Sequence, residues 1–373
     1  MTSYCVALFF LGDWLISQLF PDLLTLPPER WHYVHHPRYH HELASNFEGY
    51  RRWGGLRPKI ATNSLGFKDA TTRTVPLTAQ TRRILLLGDS FTEGLGYRFE
   101  DTFAGLLYRA GQERPQKIEF LNAAAASYSP VIHLQKIKYL LEIGLRFDEV
   151  VVISDVSDVR DEATSYFCID DDPRYKAYCV PTPLPTAETP VASPAARRQP
   201  GPNRNFGRVL EDNFIFANFI RQQIKTQIEA WHGKDIERWF KMFPKVGGSG
   251  WTLPGFDPGT LFAPLGIEGG VARSRQNMQA LADLLAAHRI PLTIVVFPWV
   301  TQLAGDDRDS RQVKIWREFC QRNCKDFIDL FPAFFAEKDA HADWYQRLFI
   351  PGDVHHSEGG HRLMFRALSR RLS

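Results

Sequence analysis

The 373-residue sequence predicts an α/β fold, a doubly wound parallel sheet, and three observations carry that expectation. Short apolar runs recur without polar interruption, as in Ile84-Leu85-Leu86-Leu87 ending at Gly88, which suits strands buried on both faces of a parallel sheet. Between these runs lie stretches whose apolar residues return at intervals of three and four, the period of a helix packed along one side. With 44% hydrophobic and 13% aromatic residues the chain can bury a sizeable core, and its length fits one large α/β domain with additions or two smaller domains.

The alternation begins at Arg82. A strand over Arg83–Leu87 is followed by a helix opening at Glu100-Asp101-Thr102-Phe103, a strand at Ile118–Asn122, a helix over His133–Leu141 and a strand at Glu149–Ser154. The pattern breaks after Tyr166. Pro181 to Pro202 is rich in Pro, Ala, Ser and Thr and reads as a surface loop, Phe214–Phe243 as one or two amphipathic helices, and Gly247–Gly269 as irregular chain. It resumes with a helix at Asn277–His288, a strand at Pro291–Phe297 stopped by Pro298, a helix at Gln312–Gln321, a strand at Phe327–Leu330 and a closing helix at Gly359–Leu372. The α/β domain is therefore 81–373, interrupted by a helical insertion at 165–270. No internal repeat is present, which excludes solenoids.

Residues 28–80 form an N-terminal extension with turn signals at Gly54-Gly55 and Asn63-Ser64-Leu65-Gly66 and a dense set of histidines, His32, His35, His36, His40 and His41. The histidines lack carboxylates or cysteines interleaved at ligand spacing, so they read as packed or interfacial residues, and neither a metal nor another cofactor is expected. Residues 1–27 hold two apolar runs separated by Asp13, together close to the ~20 residues a bilayer span needs. No Lys or Arg precedes them and no small-residue cleavage site follows, so the segment is either a membrane anchor or an amphipathic helix packed on the domain. Arg30, Arg38, Arg51 and Arg52 follow it, which weighs mildly against export.

A net charge of +3 with no basic stripe gives no reason to expect nucleic acid. Apart from Cys5, the cysteines fall in two local pairs, Cys168 with Cys179 and Cys320 with Cys324. They are disulfides in an oxidising compartment or buried thiols in a reducing one; their spacing does not suit zinc.

Two segments carry chemistry. A serine hydroxyl needs a base within reach, a group orienting that base, and donors for the developing oxyanion. Ser90, in Gly88-Asp89-Ser90-Phe91-Thr92-Glu93-Gly94, lies just beyond a buried strand between two glycines, where a tight turn can present its Oγ at the mouth of the sheet. Near the other end, Gly352-Asp353-Val354-His355-His356-Ser357 places an acid two residues before a histidine on a turn, which can hold the imidazole in one tautomer.

These blocks resemble those of the SGNH/GDSL hydrolases over roughly 82–160 and 275–370. The resemblance implies a flavodoxin-like three-layer α/β/α sheet, with Ser90 as nucleophile, His355 as base and Asp353 as its orienting carboxylate. An Asp-x-x-His spacing would nominate His356 instead; His355 is preferred for its distance to Gly360. By position in the family's second and third blocks, the oxyanion donors are the N–H groups of Ser90 and Ser127 together with Ser157, which stands where the family has an asparagine. Losing such a donor costs ~3 kcal/mol in other hydrolases. Asp89, Asp155, Asp158 and His356 are candidates for substrate contact, although for Asp155 and Asp158 solvated carboxylates at a strand end are the favoured reading.

Thr62-Asn63-Ser64-Leu65-Gly66-Phe67-Lys68-Asp69 and the run Leu121–Tyr128 are similar to a membrane-associated bacterial subgroup of the family, which implies an envelope-facing location. The function expected is serine-dependent ester hydrolysis or O-acyl transfer on acyl (acetyl) esters of a glycan. The alternative is a non-catalytic glycan-binding or scaffolding module. The expected partners are an acyl ester or glycan substrate and, for the N-terminus, a membrane; the oligomeric state is undetermined by the sequence.

Overall fold

The computed structural model describes residues 2–19, 32–51, 53, 56–169, 172–179, 214–217, 220–221, 224 and 244–372. The loop expected at 181–202 and most of the helices expected at 214–243 lie outside the described residues.

In chain order, helix α1 (Thr2–Leu19) precedes an antiparallel hairpin, β1 (Tyr33–His36) and β2 (His40–Leu43), and three short strands, β3 (Glu48–Tyr50), β4 (Lys59–Thr62) and β5 (Lys68–Asp69). The alternation follows as β6 (Arg82–Leu87), α2 (Ser90–Glu93), α3 (Phe103–Gln112), β7 (Ile118–Asn122), α4 (Pro130–Glu142), β8 (Glu149–Ser154) and α5 (Asp158–Thr164). It continues through α6 (Gly266–Ala287), β9 (Leu292–Val296), α7 (Val300–Ala304), α8 (Arg311–Asn323), β10 (Asp326–Asp329), α9 (Phe331–Ala340), α10 (Trp344–Leu348) and α11 (Glu358–Leu368).

Strands β6 to β10 are parallel and lie in the order β7-β6-β8-β9-β10. This is the flavodoxin-like order 2-1-3-4-5, whose direction of winding reverses between its first and third strands, here β6 and β8. Ile84–Leu87, Val150–Ile153 and Ile294–Val296 are all 2% exposed or less, because helices cover both faces. That burial is why these strands read as unbroken apolar runs rather than as alternation.

The extension departs most from its sequence reading. Strand β5 pairs antiparallel with β7 at Lys68 and Asn122, β4 with β5, and β3 with β4, so three strands extend the sheet beyond β7. They are two to four residues long, too short for a period of two to register. Phe67 and Lys68 are buried, and the Lys68 Nζ donates to the carbonyls of Gly94 and Tyr97, both at 2.7 Å. Burial pulls this ammonium down to about 8. The extension thus reaches directly under the segment that follows Ser90.

Helix α6 also begins earlier than expected, at Gly266 rather than Asn277. Its glycine-rich first turns read as irregular chain, yet they serve close packing. A Cβ on Gly270 would stand 2.3 Å from the Val159 carbonyl of α5. Buried Glu162 then joins three elements, accepting from Ser129 Oγ (2.9 Å), the Val131 N–H (2.7 Å) and Asn277 Nδ2 (2.9 Å). Of the two readings of the cysteines, the structure has the disulfides Cys168–Cys179 and Cys320–Cys324, with Cys5 free and exposed.

Because Phe67, Lys68 and Asp69 are buried against β7 and the turn after Ser90, a fragment of residues 81–373 is expected to lack the cooperative thermal transition of the intact chain. Differential scanning calorimetry checks this. A fragment melting within a few degrees of the full chain would contradict it.

Candidate active site

Gly88 ends β6 where the chain must pass close to its neighbours, since a Cβ there would lie 2.2 Å from Thr92 Oγ1 and 3.1 Å from the Ile153 carbonyl. The short helix α2 begins at Ser90 and closes on Gly94, whose left-handed φ of 78° suits glycine. Its cap is Asp89, whose Oδ1 accepts the Phe91 N–H at 2.9 Å. The Ser90 hydroxyl is therefore not spent on capping and stands at the carboxyl end of β6, beside the point where the winding reverses.

The partner arrives from the other end of the chain. After α10 a turn with Gly352 at φ 77° carries Asp353 and His355, and the Tyr345 hydroxyl receives the N–H groups of Gly352 (2.9 Å) and Asp353 (3.2 Å). The Ser90 hydroxyl lies 2.8 Å from His355 Nε2, and His355 Nδ1 lies 2.5 Å from Asp353 Oδ1. With Nδ1 protonated toward Asp353, Nε2 is free to accept the serine proton. Burial alone would raise the Asp353 pKa, but the hydrogen bond and charge of His355 outweigh it and hold the carboxyl below its ordinary range.

The loop after β7 brings Ser127 in with a left-handed φ of 62°. Its carbonyl accepts from the Tyr166 hydroxyl at 2.8 Å, while the carbonyl of Ala126, which shares a peptide with the Ser127 N–H, lies 2.8 Å from His41 Nε2. Neither the Ser127 N–H nor the Ser90 N–H is engaged by another group among the described residues. Ser157 behaves differently. Its Oγ–H and its N–H both donate to Asp155 Oδ1, at 2.6 and 2.7 Å, so the hydroxyl expected as a third oxyanion donor is turned onto a neighbouring carboxylate. A serine side chain is too short to reach past a carboxylate two residues away that caps its own backbone.

The other candidate contacts are corrected by burial. Asp89, Asp155 and Asp158 are 5%, 2% and 2% exposed, so the carboxyls at this strand end are neither solvated nor open to a substrate. Burial, then the charge of Asp155, pushes both Asp89 and Asp158 well above the usual carboxylate range. Ser154 Oγ donates to Asp158 at 2.6 Å. His356 is 1% exposed and lies among Phe91, Phe297, Phe334 and Phe349, its pKa lowered to about 3 by burial and then by His355. It is a neutral core residue beneath the site.

Sequence reasoning missed a set of residues from the extension. The Trp53 ring meets the His355 imidazole edge-on at 5.1 Å and the Phe91 ring lies tilted 4.8 Å from it, so the imidazole packs on two aromatic rings. The indole N–H is buried and falls short of hydrogen-bond geometry, yet it helps lower the Asp353 pKa. The Arg51 guanidinium lies over Trp53 at 5.0 Å and Tyr33 at 5.1 Å, donates to the Tyr33 hydroxyl and His32 Nε2 (both 2.9 Å), and pairs with Glu93 at 3.3 Å.

Glu93, fully buried, also accepts the Ala126 N–H at 2.9 Å and the Tyr33 hydroxyl at 2.5 Å. Burial would raise its pKa, but His32, Arg51 and Lys68 together bring it to about 2. One carboxylate thus ties the helix carrying Ser90 to the loop carrying Ser127. The histidine-rich hairpin serves the same loop, with His41 Nε2 2.8 Å from the Ala126 carbonyl. The one sequence signal for Trp53 is its place beside the Gly54-Gly55 turn.

Trp53→Ala is expected to lower kcat/KM on p-nitrophenyl acetate about tenfold, the size of one aromatic contact at the catalytic imidazole. Trp53→Phe, which keeps the edge contact, should restore most of it. Equal rates for all three proteins would contradict the role given to Trp53.

Neither the family models nor the curated proteins searched contain a match. Among solved structures the chain is similar to a two-domain esterase active on acetylated mannans (11% identity, TM-score 0.40, covering 78% of this chain and 49% of that one). The chain thus spans about half the length of that protein. It is also similar to an acetylxylan esterase from Geobacillus stearothermophilus (10% identity, TM-score 0.40, 79% and 95% covered) and to a lipolytic protein of the G-D-S-L family from Veillonella parvula (12% identity, TM-score 0.39, 78% and 98% covered). Independently of those likenesses, the strand order gives this chain a flavodoxin-like three-layer α/β/α fold that brings Ser90, His355 and Asp353 together at the carboxyl end of β6.

Proposed function

We propose that the chain is a serine ester hydrolase or O-acyltransferase that works through an acyl-enzyme on Ser90 and acts on acetyl esters of a glycan. The observation that carries the chemistry is the continuous contact from Ser90 Oγ to His355 Nε2 (2.8 Å) and from His355 Nδ1 to Asp353 (2.5 Å). In the reaction, Ser90 Oγ attacks the ester carbonyl as its proton passes to His355 Nε2. The oxyanion forms against the N–H groups of Ser90 and Ser127, and Asp353 stabilises the imidazolium. Collapse transfers the proton from His355 to the departing alkoxide and leaves the acyl group on Ser90. Water or a sugar hydroxyl, deprotonated by the same imidazole, then takes the acyl group and regenerates the serine.

The glycan part is drawn from the envelope-facing location that the subgroup resemblance implies; the resemblance itself names no substrate. The choice between water and a sugar depends on how the crevice holds an acceptor and excludes water. The tie of Ser157 to Asp155 leaves the oxyanion with backbone donors alone, the observation that keeps the non-catalytic glycan-binding reading in play.

An activity panel of short acyl esters and acetylated glycans, run with a fluorophosphonate probe, tests the proposal. Wild type should label and turn over, and Ser90→Ala should do neither. His355→Ala should lose about 10³-fold or more in kcat, as loss of a triad member does elsewhere, while His356→Phe should keep most activity. A wild type that neither labels nor turns over yet binds the glycan would overturn catalysis.

The pH profile follows from the sign of the Asp353 shift. A carboxyl lowered in the folded state stabilises the ion pair above its ordinary pKa and releases it only in stronger acid. Asp353 should therefore add no ionisation of its own to kcat/KM in the ordinary carboxylate range. An ionisation in that range that Asp353→Asn removes would contradict this.

A further inference from the structure

Helix α1 carries its polarity in the reverse of the sense expected in water. Its central polar side chains, Asp13 and Ser17, are 2% and 1% exposed, whereas Leu8, Leu11, Trp14, Leu15, Ile16 and Leu19 are between 36% and 73% exposed. At about 100° per residue the exposed apolar positions sweep roughly 200° of the helix surface. The apolar stripe with which a helix packs on a protein is about half as wide.

What Asp13 does inside is equally specific. Its carboxylate accepts the backbone N–H groups of Ile215 (2.9 Å), Phe216 (2.9 Å) and Ala217 (2.8 Å), where a second helical segment begins. Ser17 Oγ donates to the Asp13 carbonyl at 2.7 Å, and Phe10 meets Phe214 edge-on at 5.4 Å. On the second segment Phe216, Ile220 and Ile224 are 48%, 47% and 54% exposed, and their spacing of four places them on one face.

We infer that α1 and the segment beginning at Phe214 form one membrane-embedded element whose outer surface is covered by lipid hydrocarbon. A protein partner covers a stripe, and only a fluid apolar phase covers so broad an arc. On α1 the surface matches that phase in charge too, since the helix has no Asp, Glu, Lys or Arg other than the buried Asp13, and on the second segment the one charged residue among those described, Arg221, is half-buried. A helix that starts in hydrocarbon must have its first N–H groups satisfied from within the protein, and Asp13 satisfies three. The residue that interrupts the apolar run in the sequence is thus the internal cap that lets the second segment enter lipid. Among the described residues no helix is long and apolar enough to cross a membrane. None of this depends on the ester chemistry.

The test is flotation of the full chain with phosphatidylcholine–phosphatidylglycerol vesicles on a sucrose gradient, with thermal unfolding as the check on folding. Wild type should float. The double variant Leu11→Asp, Leu15→Asp should unfold at the wild-type temperature and float at least tenfold less. Asp13→Leu, although more apolar, should also float less than wild type because it leaves three N–H groups unpaired. The inference is overturned if wild type stays at the bottom, if the double variant floats equally, or if detergent-free wild type is a discrete dimer that the double variant dissociates, which would assign the surface to a second copy. Asp13→Leu floating as well as wild type would overturn the role given to Asp13.

Discussion

A hydrogen bond between residues 265 positions apart, Ser90 to His355, is the contact the rest of the structure is arranged to make. Its two ends belong to the turn that follows the first parallel strand and to the loop before the last helix. They meet because the sheet's winding reverses beside β6, which opens a crevice at the carboxyl ends of β6 and β8. Close passage at Gly88 and the turn at Gly352 then set the final approach. The imidazole is held laterally by Phe91 and Trp53 and axially by Asp353, so little freedom remains to be lost when the proton moves.

Around this contact the protein uses buried charge in two opposite ways. On one side Glu93 is kept ionised by Arg51, His32 and Lys68, and as an anion it collects donors from the Ser127 loop and the N-terminal hairpin. On the other side Asp89 and Asp158 share a buried neighbourhood with Asp155, where ionising all three would place like charges together out of water. The first arrangement orders the loop that carries Ser127. The second caps α2 and ties the end of β8 to α5. A buried carboxylate removed from the first would leave several donors unpaired, which costs more than any single bond in the network is worth.

What the sequence showed and what it hid divide along physical lines. The parallel strands were legible because two-sided burial demands apolar residues at every position, and the residues that meet at the end of β6, Ser90, His355 and Asp353, because they sit in short motifs. Strands β3 to β5 were hidden by their length, and the start of α6 by glycines that serve helix crossing rather than a turn. Ser157 illustrates a further limit: its position was legible, but whether its hydroxyl faced the crevice or Asp155 depended on a neighbour's capping geometry. Trp53 and Arg51 reach the triad from outside the matched motifs, so nothing local marked them. Asp13 read as a flaw in an apolar segment because its three partners lie more than 200 residues away.

The account stands most directly on covalent catalysis by Ser90. Rapid mixing of the enzyme with p-nitrophenyl acetate, followed by acid quench and mass spectrometry of the digested protein, measures it. The result in keeping with the account is a stoichiometric burst of p-nitrophenol with a single acetyl group on the peptide containing Ser90. Turnover without a burst and without acetylated Ser90, or acetylation at another residue, would contradict it.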